Sequence, residues 1–396
     1  MLTTQSKYSY LKKPIFLWLV WFGVNSIVAI LVCLSEIPIR LGYRYTDIGV
    51  SFGLPEWIGV HANFDGVHYM TIAREGYGTL EQAFFPLYPL VIRYASPILF
   101  GNTLLAGWII SVLLSLFAVI TWYMIFHKLA HNTDEALSSI VGLLLFPGAF
   151  FLISIYTESL FVFLLGLYVW GVVRNKYWLV GIAGLLLGLT RLAGILAILI
   201  PLPLIVQIYL DSRRINIRQI LTSMMPLVGL GLYVGYSSTT FGDPLAFFHI
   251  QTQFNNGRST SMVLLPQVLW RYFNIFFKAR VDVLYFVAVV EFVVFLVVLA
   301  LLFWSLMKGF RNITTTRKAT GIDLLMIGLL LFSIANILLP TVTGTFTSIP
   351  RYALVGMGLY PVVSSLPRPI RIVGCLLSSI LQIVLFAFVA QGWFVG

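Results

Sequence analysis

Charge is what this sequence has least of. Only 10% of its 396 residues are Asp, Glu, Lys or Arg, against roughly 25% in an ordinary soluble domain. No stretch is polar enough to stand as a separate water-soluble domain. Cysteine is nearly absent as well. Cys33 and Cys375 are the only two, and both fall in apolar runs near opposite membrane faces, which argues against a disulfide and says nothing of redox chemistry. Also missing are any His/Cys/Asp cluster with metal-ligand spacing and any Gly-rich phosphate loop, so neither a resident metal nor a cofactor is expected. Acids are scarcer than bases, 14 against 25, giving a net charge of +11. In a soluble chain that surplus would raise the question of nucleic acid. Here the bias of basic residues toward the cytoplasmic side of a membrane accounts for it better, and no nucleic-acid partner is expected.

What the chain has instead is apolar length. It is 59% hydrophobic, with a mean hydropathy of +0.95. Lipid offers no partner to backbone N–H and C=O groups, so a spanning segment must be a helix or part of a closed barrel. The runs are continuous rather than alternating, which selects helices. They lie near 15–34, 104–126, 136–155, 159–173, 177–190, 192–210, 220–240, 283–307, 322–340, 352–366 and 372–394, and predict an all-α multi-pass protein, with membrane lipids around about eleven helices. The first run follows Lys12 and Lys13 like a signal peptide, but its length and the lack of a small-residue cleavage site predict a retained anchor. Two stretches, 136–173 and 177–210, are too long for one crossing of a ~30 Å core at about 1.5 Å per residue. They divide at Tyr156-Thr157-Glu158-Ser159 and at Thr190-Arg191, with broken or partly penetrating helices as the alternative.

Charge supports that division. With the N-terminus cytoplasmic, the inner segments hold fifteen bases (Lys7, Arg317 and Lys318 among them) against four acids. The outer segments hold ten bases against nine acids, with Glu291 left inside a span and given no chemistry. Merging either divided pair would move Arg213, Arg214 and Arg218 outside. The whole chain, 1–396, reads as a single transmembrane domain with two long extracytoplasmic loops, 35–103 and 241–282. Within the first, Phe84 to Phe100 is interrupted by Pro86, Pro89 and Pro97 and predicts an interfacial or re-entrant segment. No internal repeat is visible. Gly181, Gly184 and Gly188 form a small-residue stripe that predicts close helix packing.

An ionisable residue at membrane depth is a functional hypothesis by default. By this topology Asp65, His68, Glu158, Arg191, Asp243 and Arg351 all fall on the outer side. The densest segment is Asn63-Phe64-Asp65-Gly66-Val67-His68-Tyr69, continuing to Glu75-Gly76-Tyr77. If 64–75 is helical, Asp65, His68, Ile72 and Glu75 share one face. An Asp near a helix N-terminus is favoured in its ionised form and can take a proton from a substrate hydroxyl as general base. It can equally do no more than cap the helix. Arg191 and Arg351 suit bidentate binding of a phosphate, or each snorkels or pairs with a carboxylate such as Glu158. Asp243-Pro244, after Phe241-Gly242, reads at least as well as turn chemistry.

The same residues carry a family resemblance. The run FDGVHYMTIAREGY…AFFPLYP resembles the first outer loop of the PIG-V mannosyltransferases and their prokaryotic relatives. FPGAFFLISIYTESLF is similar to that family's block ending Tyr-Ser-Glu-Ser-Leu-Phe, with Thr157 in place of Ser. TRLAGI, FGDPLAFFHIQ and IPRYAL resemble its later blocks, and Phe64 stands where the family usually has Trp. The resemblance implies a GT-C-like bundle: a polytopic transferase using a lipid-phosphate sugar on the non-cytoplasmic face. It implies Asp65 as the catalytic base and Arg191 and Arg351 as donor-phosphate ligands, with no metal required. His68, Glu75, Tyr77, Glu158 and Asp243 complete the set as substrate-binding candidates.

The expected function is therefore an inverting transfer of a hexose, mannose by resemblance, from a polyprenyl-phosphate donor to a glycolipid or glycan acceptor outside the cell membrane. The alternative is a transporter or flippase of lipid-linked sugars. That class often carries inverted repeats and offers charges to both sides.

Overall fold

The computed structural model describes residues 9–35, 47–130, 132–254, 257–316 and 319–395. Lys7, Arg317 and Lys318 of the inner charge count lie outside these residues, as does part of the first loop. Among the described residues every regular element is a helix. The protein is all-α and multi-pass.

Six of the eleven expected runs form helices long and apolar enough to cross a bilayer: Lys12–Leu34, Thr103–Leu129, Leu192–Ser212, Val283–Thr316, Gly321–Thr343 and Arg368–Ala390. A seventh run forms the pair Ile217–Ser223 and Met225–Phe241, bent by 42°. Two more are shorter apolar helices, Glu158–Val173 and Tyr177–Thr190. Some helix starts are marked by side-chain caps that satisfy N–H groups left over at a first turn. Asn102 accepts from Leu105 N–H at 2.9 Å, and Asn132 from Glu135 N–H at 2.8 Å.

Runs 136–155 and 352–366 depart from expectation, because neither is one continuous helix. The first is a helix over Thr133–Leu144 followed by a 3-10 turn at Ala149–Leu152. Pro147 and Gly148 lie between the two, and a proline cannot supply the N–H that a continuing helix needs. The second is two six-residue helices, Ile349–Leu354 and Leu359–Ser364. Between them Gly358 runs so close to its neighbour that a Cβ there would sit 2.7 Å from Leu329 O. The Phe84–Phe100 run is also short of a span: it holds a nine-residue helix, Leu87–Ala95, and a 3-10 turn over Ser96–Leu99.

The chain forms two compact units. One comprises residues 1–70, 92–166 and 360–394, the other 71–91, 167–359 and 395–396. In the first, buried polar groups tie apolar helices together. Trp18 Nε1 donates to Ser115 Oγ (3.0 Å), Trp122 Nε1 to Val162 O (2.9 Å) and Gln382 Nε2 to Leu144 O (3.0 Å). With no water at hand, each such bond replaces an orphaned donor. In the second unit the Tyr177–Thr190 helix packs on Met225–Phe241 through the glycine stripe. A methyl group on Gly188 would overlap the Pro226 carbonyl and lie 2.9 Å from Leu230 N, and one on Gly184 would lie 2.9 Å from Pro226 Cδ. Small residues let these two backbones meet.

The 34-residue helix Val283–Thr316 supplies a direct test of orientation. Thr260, before it, and Thr315, near its far end, are both exposed. In a background with Cys33 and Cys375 replaced by Ala, Thr260→Cys should react with a membrane-impermeant thiol reagent in intact cells and Thr315→Cys should not. Reaction at Thr315 alone would reverse the orientation expected from charge.

Candidate active site

In the first unit the site begins with the backbone of residues 61–66. His61 is 1% exposed, its ring 5.4 Å from that of Phe386 and 6.2 Å from that of Trp108. Burial pushes its pKa down to about 3, so the imidazole is neutral and serves packing. His61 O accepts from Ile155 N–H at 2.8 Å, and Asn63 O accepts from the Tyr156 hydroxyl at 2.7 Å. The Asn63 amide donates to Val389 O (2.8 Å) and Ala390 O (3.5 Å), carbonyls in the last turn of the Arg368–Ala390 helix, where i to i+4 partners run out. Val389 O also accepts from Gly392 N–H at 3.0 Å. Phe64 then takes a left-handed conformation, φ 63°, which is rare for a bulky side chain. Strain of this kind costs of order 1–3 kcal/mol and persists only where the surroundings over-determine it. Here they are the three anchors just named and the Phe394 ring, edge-on at 5.3 Å.

This kink starts the Asp65–Glu75 helix at Asp65. Gly66 is small because chain lies against it: a Cβ would sit 3.3 Å from Ile155 O and 3.4 Å from the Ala62 Cβ. The two sequence blocks singled out above, around Asp65 and around Glu158, are thus packed directly on one another through 61–66 and 154–156. Asp65 and His68 are half-buried. Glu158 opens its own helix and is fully buried.

In the second unit Arg191 stands where two helices break. Its backbone is extended (φ −169°, ψ 158°) between Tyr177–Thr190 and the 3-10 segment Leu192–Leu199. Its guanidinium lies 5.1 Å from the centre of the Tyr352 ring, within cation–π range. Tyr352 follows Arg351, which is 6% exposed on the six-residue helix Ile349–Leu354. The structure therefore brings Arg191 against the short helix that carries Arg351. Tyr352 O is itself held by the Asn336 amide at 2.5 Å.

The remaining candidates in this unit have local engagements. Glu75 is exposed and meets Arg74 at 3.2 Å, a surface pair of little energetic weight. Tyr77 donates to Phe84 O at 2.9 Å, and its ring lies among Tyr233, Tyr236 and Phe241 at 5.6–6.2 Å. Asp243 accepts from Leu245 N–H at 2.9 Å and meets His249 Nδ1 at 2.7 Å. The His249 bond, and then the Leu245 N–H, hold its carboxyl below the usual range.

Sequence reasoning gave no role to Glu291. It is 5% exposed, accepting from Ser348 N–H at 2.9 Å and from the Tyr272 hydroxyl at 3.1 Å. A lone acid in an apolar run was the available signal, but its partners lie 57 and 19 residues away in sequence. Among the described residues no group of three or more His, Cys, Asp or Glu side chains is placed to hold a metal ion.

No protein-family model and no curated protein sequence matches the chain. Among solved structures it is similar to the apo form of an oligosaccharyltransferase from Archaeoglobus fulgidus, with 12% identity and a TM-score of 0.47. The match covers 99% of this chain and 57% of that one, so the chain spans little more than half of that protein's length. A likeness that loose assigns neither a substrate nor a residue role.

Proposed function

We propose that this protein is a GT-C-type inverting glycosyltransferase. It moves a hexose, mannose in the first instance, from polyprenyl phosphate to a glycolipid or glycan acceptor on the extracytoplasmic face. One observation carries the proposal: the block around Asp65 and the block around Glu158, singled out by their charged residues and by the resemblance, pack on one another and hold Asp65 at the start of a helix behind a strained Phe64. Backbone strain held in place by converging anchors is a mark of functional sites.

In the reaction the acceptor oxygen attacks the anomeric carbon while its proton passes to the Asp65 carboxylate. The bond from the anomeric carbon to the phosphate oxygen breaks, and its electron pair leaves with polyprenyl monophosphate. Arg191 and Arg351 neutralise that charge through guanidinium hydrogen bonds. His68 and Glu158 position the substrate.

The test is transfer by purified protein in liposomes, supplied with radiolabelled polyprenyl-phosphate-mannose and a membrane glycolipid and glycoprotein extract. Label should pass from the lipid phosphate to the extract, with glucose and galactose donors as comparisons. Label that stays on polyprenyl phosphate for every hexose would refute the proposal.

A further inference from the structure

The chain has placed a carboxylate, Glu291, inside the long apolar helix Val283–Thr316, where an acid is expensive and is retained for a reason. Both of its oxygens are used, each by a different element. One accepts from Ser348 N–H, the other from Tyr272 on the Leu265–Lys278 helix. The Tyr272 oxygen is used again, accepting from Phe346 N–H at 3.1 Å and lying 3.4 Å from Thr345 Oγ1. Thr345 Oγ1 in turn accepts from Thr347 N–H at 3.0 Å. Ser348 is thus tied to this buried acid directly, Thr345 and Phe346 through the Tyr272 hydroxyl, and Thr347 through Thr345.

The tied segment ends where the short helix that carries Arg351 begins. Ser348 is left-handed (φ 71°), a conformation that few non-glycine residues adopt, and it is the residue before the Ile349–Leu354 helix. A helix of six residues does not hold itself in isolation in water. Its direction follows from whatever fixes its first turn, and Arg351 is in that turn. Rings close the clamp: Phe346 lies 4.6 Å from Tyr272 and 4.3 Å from Phe295. The charge facing Glu291 is Arg258, near enough to act on it electrostatically.

We infer that Glu291 is the positioning residue for Arg351, setting the direction of its guanidinium through Ser348 and Tyr272. The inference rests on Arg351 being a donor-phosphate ligand and names what holds that ligand in place. Glu291 itself touches no substrate in this account. It gives the short helix one orientation, so that the arginine is aimed before the phosphate arrives.

The test uses binding of synthetic polyprenyl monophosphate to the full-length protein in lipid nanodiscs, beside thermal unfolding of the same samples. Glu291→Gln keeps the volume but turns an amide N–H₂ toward one of two donors, so one clamp point is lost. It should weaken binding about tenfold, on the order of the cost of leaving a buried donor without its acceptor. Arg351→Lys should also weaken binding. Added to Arg351→Lys, however, Glu291→Gln should cost less than about twofold more, because residues acting as one unit are not additive. Tyr272→Phe keeps the ring and removes the shared hydroxyl, and should repeat the pattern if Glu291→Gln fails to fold. Multiplicative losses in the double variant, or unchanged binding in a folded Glu291→Gln or Tyr272→Phe protein, would overturn the positioning role. Wild-type binding by Arg351→Lys would instead overturn the phosphate role of Arg351, and the inference with it.

Discussion

Asp65→Asn should give a folded protein that binds its donor and transfers sugar about 10²–10⁴-fold more slowly. The size follows from what the substitution removes. Asn keeps the volume of Asp and begins a helix about as well, so a purely structural Asp65 would be replaced without penalty. The anchors of this turn are also on other atoms. They are the carbonyls of His61 and Asn63, held by Ile155 N–H and Tyr156 OH, and the Asn63 amide on Val389 O. None of these three bonds uses the Asp65 carboxylate, so all three remain available in the variant. Asn keeps a side-chain oxygen that can accept a hydrogen bond but has no basicity to take up a proton. Thermal unfolding of the variant should therefore match wild type while transfer falls. Wild-type turnover from a well-folded Asp65→Asn protein would mean that Asp65 only starts its helix, and Glu75 would be the next carboxylate to test.

Arg351→Lys and Arg191→Lys should each cost about ten- to a hundred-fold in donor affinity, the equivalent of a lost hydrogen bond to a charged group. Lysine keeps the charge but not the planar fork that grips two phosphate oxygens at once. At position 191 a second loss is expected. The guanidinium lies over the Tyr352 ring, and an ammonium does not stack there in the same way, so the contact with the Arg351 helix loosens too. The measurement is equilibrium binding of the donor, with turnover at saturating donor alongside. Two Lys variants with intact affinity and intact turnover would remove both residues from the phosphate site.

Much of the fold was legible in the sequence because apolar length is a physical requirement of crossing lipid. The runs 15–34, 104–126 and 372–394 needed nothing beyond that requirement. The break at Arg191 was legible from a single charge between apolar runs, and the Gly184–Gly188 stripe from the absence of side chains. What was not legible depends on neighbours distant in sequence. Run 352–366 is apolar enough to cross, yet Gly358 presses against Leu329, and no local pattern announces that contact. The left-handed turn at Phe64 is likewise invisible, since the groups that hold it are distant in sequence, among them an amide reaching Val389, 326 residues away. In the candidate site, residue types pointed to Asp65, Arg191 and Arg351. Tyr77, assigned to substrate by resemblance, carries a bond to Phe84 O and sits in an aromatic cluster that the sequence did not disclose.

The central claim is that a bond from sugar to phosphate breaks on this protein, and product stoichiometry tests it most directly. Purified wild-type protein in sealed liposomes is given polyprenyl-phosphate-mannose and acceptor extract, and released polyprenyl monophosphate and mannosylated product are counted by mass spectrometry. The account predicts one polyprenyl monophosphate for each mannose transferred, with both products nearly absent for Asp65→Asn. Intact donor appearing on the opposite leaflet, with no polyprenyl monophosphate released, would contradict it and make the protein a flippase.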